Sequence, residues 1–265
     1  MGSPGSVSTL PIAAGRLTVS SRPPRLRRAP ARSHPARAGG SVLRVKQLAD
    51  GVHQLRGFPP NAINVYLLGD VLVDAASRHA ERRILRELDG RALSAHVVTH
   101  AHPDHQGSSH AVCARRGVPL WCGEADAAAI ESGRLAERQP HHPINRLSER
   151  AFAGPGHSVA RRLREGDEVG DFAVLETPGH SAGHIALWRE RDRTLILGDV
   201  LFGCHPLTGI PGLHEPPGFF TPDPARNRES ARRLASLEPA LALFGHGPPL
   251  RDGRALAAFV ALLGD

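Results

Sequence analysis

The chain is predicted to be an α/β (α+β) protein in which antiparallel and mixed β-sheets are flanked by helices. Two observations predict this class. Short β-branched runs, some of them joined by hairpin signals, are interspersed with segments that have one apolar helical face. The chain also has 265 residues, 40% of them hydrophobic, which is enough to bury a core without disulfides.

The expected strands are short and apolar, and most of them end at a glycine or a polar residue. In chain order they are residues 42–55, 65–68, 71–73, 95–98, 118–122, 172–177, 185–188, 194–197 and 241–244. The pair Gly69-Asp70 between the second and third of these runs is typical of a hairpin turn. This hairpin indicates that part of the sheet is antiparallel.

The expected helices have a capping residue, an apolar face and a terminating glycine. They are the segment that Ser77 caps, then 105–116, 124–131 and 225–237, and a last segment that Asp252 caps. Between them, residues 132–156 are predicted to form a mobile loop over a site, because their periodicity is weak. Residues 203–222 are rich in proline and glycine and are also predicted to be a loop.

Residues 1–41 are predicted to be a disordered basic tail, and residues 42–265 the folded domain. The tail is rich in Pro, Arg, Ser, Ala and Gly, so it cannot bury enough apolar surface to offset the entropy of ordering. A dispensable tail is favoured, with an organelle transit peptide or a start codon placed too far upstream as alternatives.

The net charge of +7 belongs to this N-terminal region. Residues 1–49 contain nine basic residues and no acidic one, which leaves 24 basic against 26 acidic residues in the remainder. The remainder is therefore near neutral, and we expect no nucleic-acid partner. No apolar run approaches the ~20 residues that span a bilayer, so we expect no membrane partner. Three cysteines at unrelated spacings imply no disulfide framework and favour a cytoplasmic location.

The strongest chemical signal is the run His100-Ala101-His102-Pro103-Asp104-His105, directly after the strand at 95–98. Residues at two-residue spacing in an extended segment point the same way, which brings His100, His102 and Asp104 together. A turn into a helix at Pro103 would swing His105 beside them. Neutral imidazole and carboxylate are ligands for zinc, iron or manganese. This stretch is therefore predicted to bind metal.

Three further candidate ligands follow predicted strands, each with glycine beside it. They are His180 in the run TPGHSAGH at residues 177–184, Asp199 after Gly198, and His246 between Gly245 and Gly247. Glycine lets the backbone approach a metal closely or turn sharply. Each could be an ordinary loop residue if considered alone, but their order along the chain suggests one shared site.

These motifs resemble the metallo-β-lactamase superfamily, whose pattern is H-x-H-x-D-H, then a His, an Asp and a final His, all at strand ends. The resemblance covers about residues 42–265 and includes NVYLLGD at 64–70 and the strand-ending Asp74. It implies a four-layer αββα sandwich of two mixed β-sheets flanked by helices, with the metals in a cleft at one sheet edge.

The resemblance also implies a ligand set for two divalent metal ions. His100, His102 and His180 would hold the first ion, Asp104, His105 and His246 the second, and Asp199 would bridge both. Asp74 would fix the motif loop by hydrogen bonds. His184 is expected to be structural, and Cys204 a packed thiol. Zinc is the expected metal, with iron or manganese as alternatives.

Two metals that share a carboxylate would hold a bridging water and present hydroxide to a carbonyl or phosphoryl group. Asp104 is also the candidate catalytic residue, because its carboxylate could take the proton of the nucleophile. The expected enzyme is a dinuclear metal-dependent hydrolase, with a small-molecule ester, thioester or lactone as substrate. The substrate-binding residues and the oligomeric state stay open.

Differences from better-known members of this superfamily narrow the range of expected activities. Because the chain ends nineteen residues after His246, we expect no helical C-terminal domain of the glyoxalase II type, although the run at 177–184 resembles those enzymes. The commonest true β-lactamases use Cys where Asp199 stands. A mononuclear iron persulfide dioxygenase is the alternative enzyme, and a binding protein on an inactive hydrolase fold is the third reading. The complete ligand set favours the hydrolase.

Overall fold

Two β-sheets packed face to face form the centre of the computed structural model, which describes residues 45–264. The first sheet has seven strands in the order of the chain, antiparallel from β1 to β4 and parallel from β4 to β7. These strands are β1 (Lys46–Ala49), β2 (Val52–Gln54), β3 (Tyr66–Leu68), β4 (Val71–Val73), β5 (Ala95–Val98), β6 (Leu120–Gly123) and β7 (Val159–Leu163).

The second sheet has five strands, and a separate two-stranded ribbon follows its fourth strand in the chain. The sheet contains β8 (Glu168–Val169), β9 (Phe172–Glu176), β10 (Ile185–Arg189), β11 (Thr194–Gly198) and β14 (Leu241–Phe244), and the ribbon contains β12 (Phe202–Cys204) and β13 (Pro211–His214). Strand β14 joins β11 in parallel, whereas the other neighbours are antiparallel. Both sheets are therefore mixed.

Seven α-helices accompany the sheets in the described part of the chain. They are α1 (Glu81–Glu87), α2 (Pro103–Gln106), α3 (Ser109–Arg116), α4 (Ala127–Ser132), α5 (Pro143–Phe152), α6 (Pro224–Ser236) and α7 (Gly253–Ala261). None of these described helices has the length and apolar character that a transmembrane helix needs.

The apolar side chains divide into four buried clusters, and these clusters define the layers. One lies between the two sheets and includes Val97 of the first sheet and Leu187 of the second. Two cover the outer face of the first sheet with helices α1, α3 and α4. The fourth packs α6 and α7 on the outer face of the second sheet. This is the four-layer αββα sandwich expected from the sequence.

Several predicted elements are confirmed, and others need correction. The hairpin at Gly69-Asp70 joins β3 to β4, and the Asp252 side chain accepts hydrogen bonds from two backbone amides at the start of α7. The single strand predicted over 42–55 is instead a hairpin of β1 and β2 within the described residues. Ser77 precedes a short 3-10 turn and makes no side-chain cap hydrogen bond. The tail prediction for 1–41 lies outside the described residues.

The helix predicted over 105–116 is interrupted at Gly107, which separates α2 from α3. A Cβ atom at this position would lie 2.3 Å from the backbone nitrogen of Arg78 and 2.5 Å from the carbonyl oxygen of Phe152. Two other segments pass close to the chain here, and only glycine leaves room for them. Gly107 itself keeps helical dihedral angles, and the departure from the helix comes at Ser108. The interruption separates the metal-ligand motif from the structural helix that follows it.

The prediction of a structureless loop over 132–156 is wrong, because this segment contains α5. Pro143 occupies the first turn, and the His142 side chain accepts a hydrogen bond from the amide of Ile144. The buried amide of Asn145 donates to the carbonyl oxygens of Pro140 and Phe219, which anchors the helix. Residues 203–222 are likewise not all loop, since they contain most of the β12–β13 ribbon.

Candidate metal centre

The seven predicted ligand residues come together where strands of both sheets end. His100 and His102 follow β5, and Asp104 and His105 lie in α2. His180 lies in the turn between β9 and β10, Asp199 follows β11, and His246 follows β14. The carboxyl ends of parallel strands meet at one edge of a sheet, so residues distant in the sequence converge there.

The ligand atoms form two groups. His100, His102, His180 and Asp199 each offer one atom to the first group, and Asp104, His105 and His246 do so in the second. Within each group the atoms all lie within 4.8 Å of one another. The first group is fully buried, whereas the Asp104 side chain in the second is 26% exposed and faces a cavity.

The Asp199 carboxylate lies between the two groups. Its Oδ2 atom is 3.7 Å from His100 Nε2 and 3.5 Å from His180 Nε2 in the first group. The same oxygen is 3.4 Å from His105 Nε2 and 3.2 Å from His246 Nε2 in the second. Donor atoms that share a zinc ion at bond lengths near 2.1 Å lie about 3.4 Å apart in tetrahedral geometry. The spacing therefore fits a carboxylate shared by two cations.

Two threonines fix the orientation of histidines in the first group. Thr99 Oγ1 donates to the Asp74 carboxylate at 2.9 Å and therefore accepts from His100 Nδ1 at 3.0 Å. Thr221 Oγ1 donates in the same way to the carbonyl of Pro217 and accepts from His180 Nδ1 at 3.1 Å. Each hydroxyl holds the proton on Nδ1, which leaves the lone pair of Nε2 facing the cluster.

The histidines of the second group are oriented by a carboxylate and a carbonyl. His105 Nδ1 donates to Asp74 Oδ2 at 2.9 Å, and His246 Nδ1 donates to the carbonyl oxygen of Ala62. Asp74 also accepts from the backbone amide of Thr99 at 2.8 Å. Asp74 thus holds the motif loop by hydrogen bonds, as the sequence predicted, and it directs ligand candidates of both groups.

The donor set fits a metal because its inward-facing atoms lack protein partners. Among the described residues, four buried atoms at this cluster make no hydrogen bond: His100 Nε2, His102 Nε2, His180 Nε2 and Asp199 Oδ1. Buried polar atoms without a partner are costly unless something else satisfies them. Neutral imidazole nitrogens and carboxylate oxygens in this arrangement suit a divalent cation.

The electrostatics of the cluster also follow from its burial. Burial lowers the pKa of His100 and His102, and the neighbouring imidazoles lower it further. Burial also disfavours the charged form of His246, but Asp199 and Asp104 outweigh it and raise the pKa of His246 to about 10. For Asp199, burial by itself raises the pKa, yet His246 and His105 hold it well below the usual value. The carboxylate is therefore ionised at neutral pH.

His184 is not available to a metal, because both of its ring nitrogens make hydrogen bonds within the protein. Its Nε2 accepts a hydrogen bond from the backbone amide of Asp199, and its Nδ1 donates to Thr177 Oγ1 at 2.8 Å. Burial lowers the pKa of His184 to about 3, so the ring is neutral at pH 7. Its role is to hold the start of the Asp199 loop.

Sequence reasoning missed Asp126, a buried carboxylate that links two ligand-bearing loops. It accepts hydrogen bonds from the Ala101 amide at 2.8 Å, the Ser181 hydroxyl at 2.5 Å and the Gly183 amide at 2.8 Å. Ala101 lies between His100 and His102, and Ser181 follows His180. The segment around Asp126 has no motif that would have identified this role. Thr221 was missed for the same reason.

A cavity of about 650 Å³ opens onto the cluster and is lined in part by Asp104, Asp199 and His246. Residues of the loop regions lie in two different places relative to this cavity. His205 and Cys204 line it, whereas His141 and His142 line a separate surface recess beside α5. Cys204 is a buried free thiol, as are Cys113 and Cys122, and burial raises the pKa of all three.

Comparison with known proteins agrees with this geometry. The sequence model of the metallo-beta-lactamase superfamily matches residues 58–246. The probable metallo-hydrolase YflN of Bacillus subtilis (strain 168) is 29% identical over 231 residues, which is 77% of this chain and 86% of that protein. A hydroxyacylglutathione hydrolase of Bdellovibrio bacteriovorus is 30% identical over 57% of this chain, and the match spans about half (48%) of its own length.

A similar solved structure is that of TTHA1623 in a di-iron-bound form. Its sequence is 30% identical, the TM-score is 0.56, and the match covers 74% of this chain and 92% of the TTHA1623 chain. The family match extends over most of the described residues and ends at the last histidine of the cluster. The chain therefore belongs to the metallo-beta-lactamase superfamily, and we class it as a metal-dependent hydrolase.

Proposed function

We propose that the chain is a dinuclear metal-dependent hydrolase that acts on a small ester, thioester or lactone. The observation that carries this proposal is the position of Asp199 Oδ2, within 3.7 Å of imidazole nitrogens from both groups. A site for a single ion would not need a carboxylate shared between two complete donor groups.

In this proposal each group holds one cation and Asp199 contributes to both. The first would be held by His100, His102 and His180, and the second by Asp104, His105 and His246. When bound, two such cations supply a hydroxide nucleophile at neutral pH and polarise a substrate carbonyl oxygen. Zinc is the expected metal. Iron is the first alternative, because the similar TTHA1623 structure is described as di-iron-bound.

The protein's own residues would position the reactants and carry protons. Asp104 is the candidate proton carrier, since its carboxylate faces the cavity and lies 3.3 Å from His246 Nε2. Burial by itself raises the pKa of Asp104, but the hydrogen bond from His246 lowers it strongly, so the carboxylate stays ionised at pH 7. Asp74, Thr99 and Thr221 would keep the ligand nitrogens in one tautomer.

Metal content tests the proposal most directly. Protein expressed without chelators would be analysed by mass spectrometry as the wild type, His246→Ala and His141→Ala. We expect about two zinc per chain in the wild type and a fall towards about one in His246→Ala, because a second-group ligand is lost. His141→Ala is the matched control, since His141 is exposed and lines the separate recess.

The opposite result would overturn the dinuclear proposal. About one iron per chain, unchanged in His246→Ala, would match the mononuclear iron persulfide dioxygenase. Oxygen consumption with a persulfide substrate would then replace the hydrolase assays.

A further inference from the structure

Beyond the metal cluster, most of the described residues that line the cavity are apolar, and the polar ones are Asn61, Ser148, His205 and Thr208. Among the described residues that line it, seven are prolines and three are phenylalanines, and none is lysine or arginine. Proline has no backbone N–H and presents CH₂ groups, so such walls offer few hydrogen-bond donors. A volume of about 650 Å³ lies within the range of small-molecule sites.

The lack of a cationic side chain in these walls disfavours anionic substrates. Beyond the metal cluster, the described part of the lining holds no lysine or arginine that could pair with a negative group. A carboxylate carried at the far end of a substrate would lose its hydration and meet no opposite charge in the walls. A substrate without such a group would enter at no comparable cost.

Two exposed apolar side chains line the cavity, Phe152 and Leu207, and we name this pair the apolar rim. Leu207 is 87% exposed and Phe152 41%. Exposed apolar groups concentrated at the mouth of a cavity mark a surface that binds an apolar partner.

We propose that this site hydrolyses uncharged esters and lactones with a long apolar acyl chain, and that Phe152 and Leu207 determine that specificity. This inference rests on the proposed hydrolase function. The reacting carbonyl would lie at the metal cluster and the chain would run outwards along the proline and phenylalanine walls to the apolar rim. Continuity between cluster, cavity and rim supports this occupant.

Hydrolysis of such a substrate breaks the acyl C–O bond and forms a C–O bond to the oxygen of water. One proton of the water passes to the departing alkoxide, and Asp104 is the carboxylate placed to carry it. The products are an alcohol and a carboxylic acid, or one hydroxy acid from a lactone. No oxidant or further reactant is needed.

The first test compares three esters on the metal-loaded protein: 4-nitrophenyl butanoate, 4-nitrophenyl octanoate and the mono-4-nitrophenyl ester of octanedioic acid. We expect kcat/KM to rise about tenfold from butanoate to octanoate, since the rim buries each added methylene only in part. The third ester has the chain length of octanoate but ends in a carboxylate, and we expect its kcat/KM to be lower by about tenfold or more.

Variants then connect the preference to the apolar rim. Phe152→Ser and Leu207→Ser should each reduce the octanoate-to-butanoate ratio of kcat/KM, and the double variant should bring it close to one. Leu262→Ser is the matched control, because Leu262 is 84% exposed but follows α7 and does not line the cavity. All three positions are exposed, so these changes should leave folding intact.

A binding measurement separates the inference from the hydrolase proposal. Octanamide should bind about tenfold more tightly than butanamide by ligand-observed NMR, and the double variant should abolish the difference. If this preference is present but no ester is hydrolysed, the hydrolase proposal fails and the apolar site stands. If esters are hydrolysed without a dependence on chain length, charge or the rim, the inference fails and the hydrolase stands. A variant that changes only the oligomeric state would likewise overturn it, since the rim would then join copies of the chain.

Discussion

Individual side chains at this centre act mainly by placing protons. Thr99 and Thr221 each donate their hydroxyl proton away from the cluster and accept from a histidine Nδ1. A hydroxyl has one proton, so once it donates that proton to one group it can only accept a hydrogen bond from the other. Each threonine therefore fixes which ring nitrogen of its histidine carries the proton. Asp126 positions the backbone instead. Its buried carboxylate accepts hydrogen bonds from backbone amides in the loops of His102 and His180 and so holds the two loops together.

The pH dependence of stability can be predicted at a residue outside the centre, His96. It is fully buried on β5, where Nδ1 donates to the Leu72 carbonyl and Nε2 accepts from the Ser109 hydroxyl. Burial lowers its pKa from 6.5 to about 4. The unfolded chain therefore binds more protons than the native protein between these values, so the stabilisation present above pH 6.5 is lost as the pH falls towards 4.

Between pH 7 and pH 5, we expect the free energy of unfolding to fall by about 2 kcal/mol more in the wild type than in His96→Gln. Each protein is compared with its own value at pH 7. Urea unfolding followed by circular dichroism would measure both. His141→Gln, at an exposed histidine, should follow the wild type. Parallel pH profiles for the wild type and His96→Gln would show that His96 does not titrate differently on folding.

At the scale of elements, the centre depends on strands that end at glycine. Strand β14 ends at Phe244, and Gly245 then passes directly beside the cluster. A Cβ atom on Gly245 would lie 1.9 Å from Asp199 Oδ1 and 2.7 Å from His105 Cε1. Neither atom can move without displacing a candidate ligand, so the close approach of this strand end requires glycine.

Gly245→Ala should therefore impair the metal cluster more than the fold. We expect the metal content to fall from about two ions per chain to one or fewer, since the added methyl group pushes on Asp199 and His105. Mass spectrometry of the purified protein gives the ratio. Gly218→Ala is the control, because a Cβ atom there meets nothing within 4 Å. Full metal content in Gly245→Ala would contradict the steric argument.

At the scale of the whole molecule, the apolar clusters of the described residues lie within the predicted folded domain. The four apolar clusters draw their members from between Val45 and Leu263. The segment before them is the basic, proline-rich part of the sequence. We therefore propose that residues 42–265 form the hydrolase domain and that residues 1–41 are dispensable for it.

A chain that begins at Val42 should have the same urea midpoint and the same metal content as the full chain, because the segment it lacks is rich in Pro, Arg, Ser, Ala and Gly and has little apolar surface to bury. A second truncation that begins at Gly57 should be strongly destabilised, since it removes β1, β2 and the buried side chains of Leu48, Val52 and Leu55. Circular dichroism and metal analysis would compare the three proteins. A lower midpoint for the first truncation would show that the tail contributes to the fold.

Local patterns were sufficient wherever neighbouring residues decide the structure. The hairpin at Gly69-Asp70 and the cap at Asp252 depend on residues within one turn, and both were predicted correctly. Helix α5 was missed because its apolar residues are largely exposed and its anchor is a buried polar one, Asn145. The need for glycine at position 107 likewise lies in other segments, since the backbones at Arg78 and Phe152 pass close to it.

The sequence alone determined the candidate donor types, the spacing of His100, His102 and Asp104, and the αββα layers that its motifs imply. Spacing within one turn is set by covalent geometry, which a sequence states directly. Only the tertiary structure decided which atoms meet. His105 and His246 are 141 residues apart in the chain, yet their Nε2 atoms lie 3.4 Å apart. That proximity, like the roles of Asp126 and Thr221 and the apolar walls of the cavity, results from packing of distant segments, which no local pattern encodes.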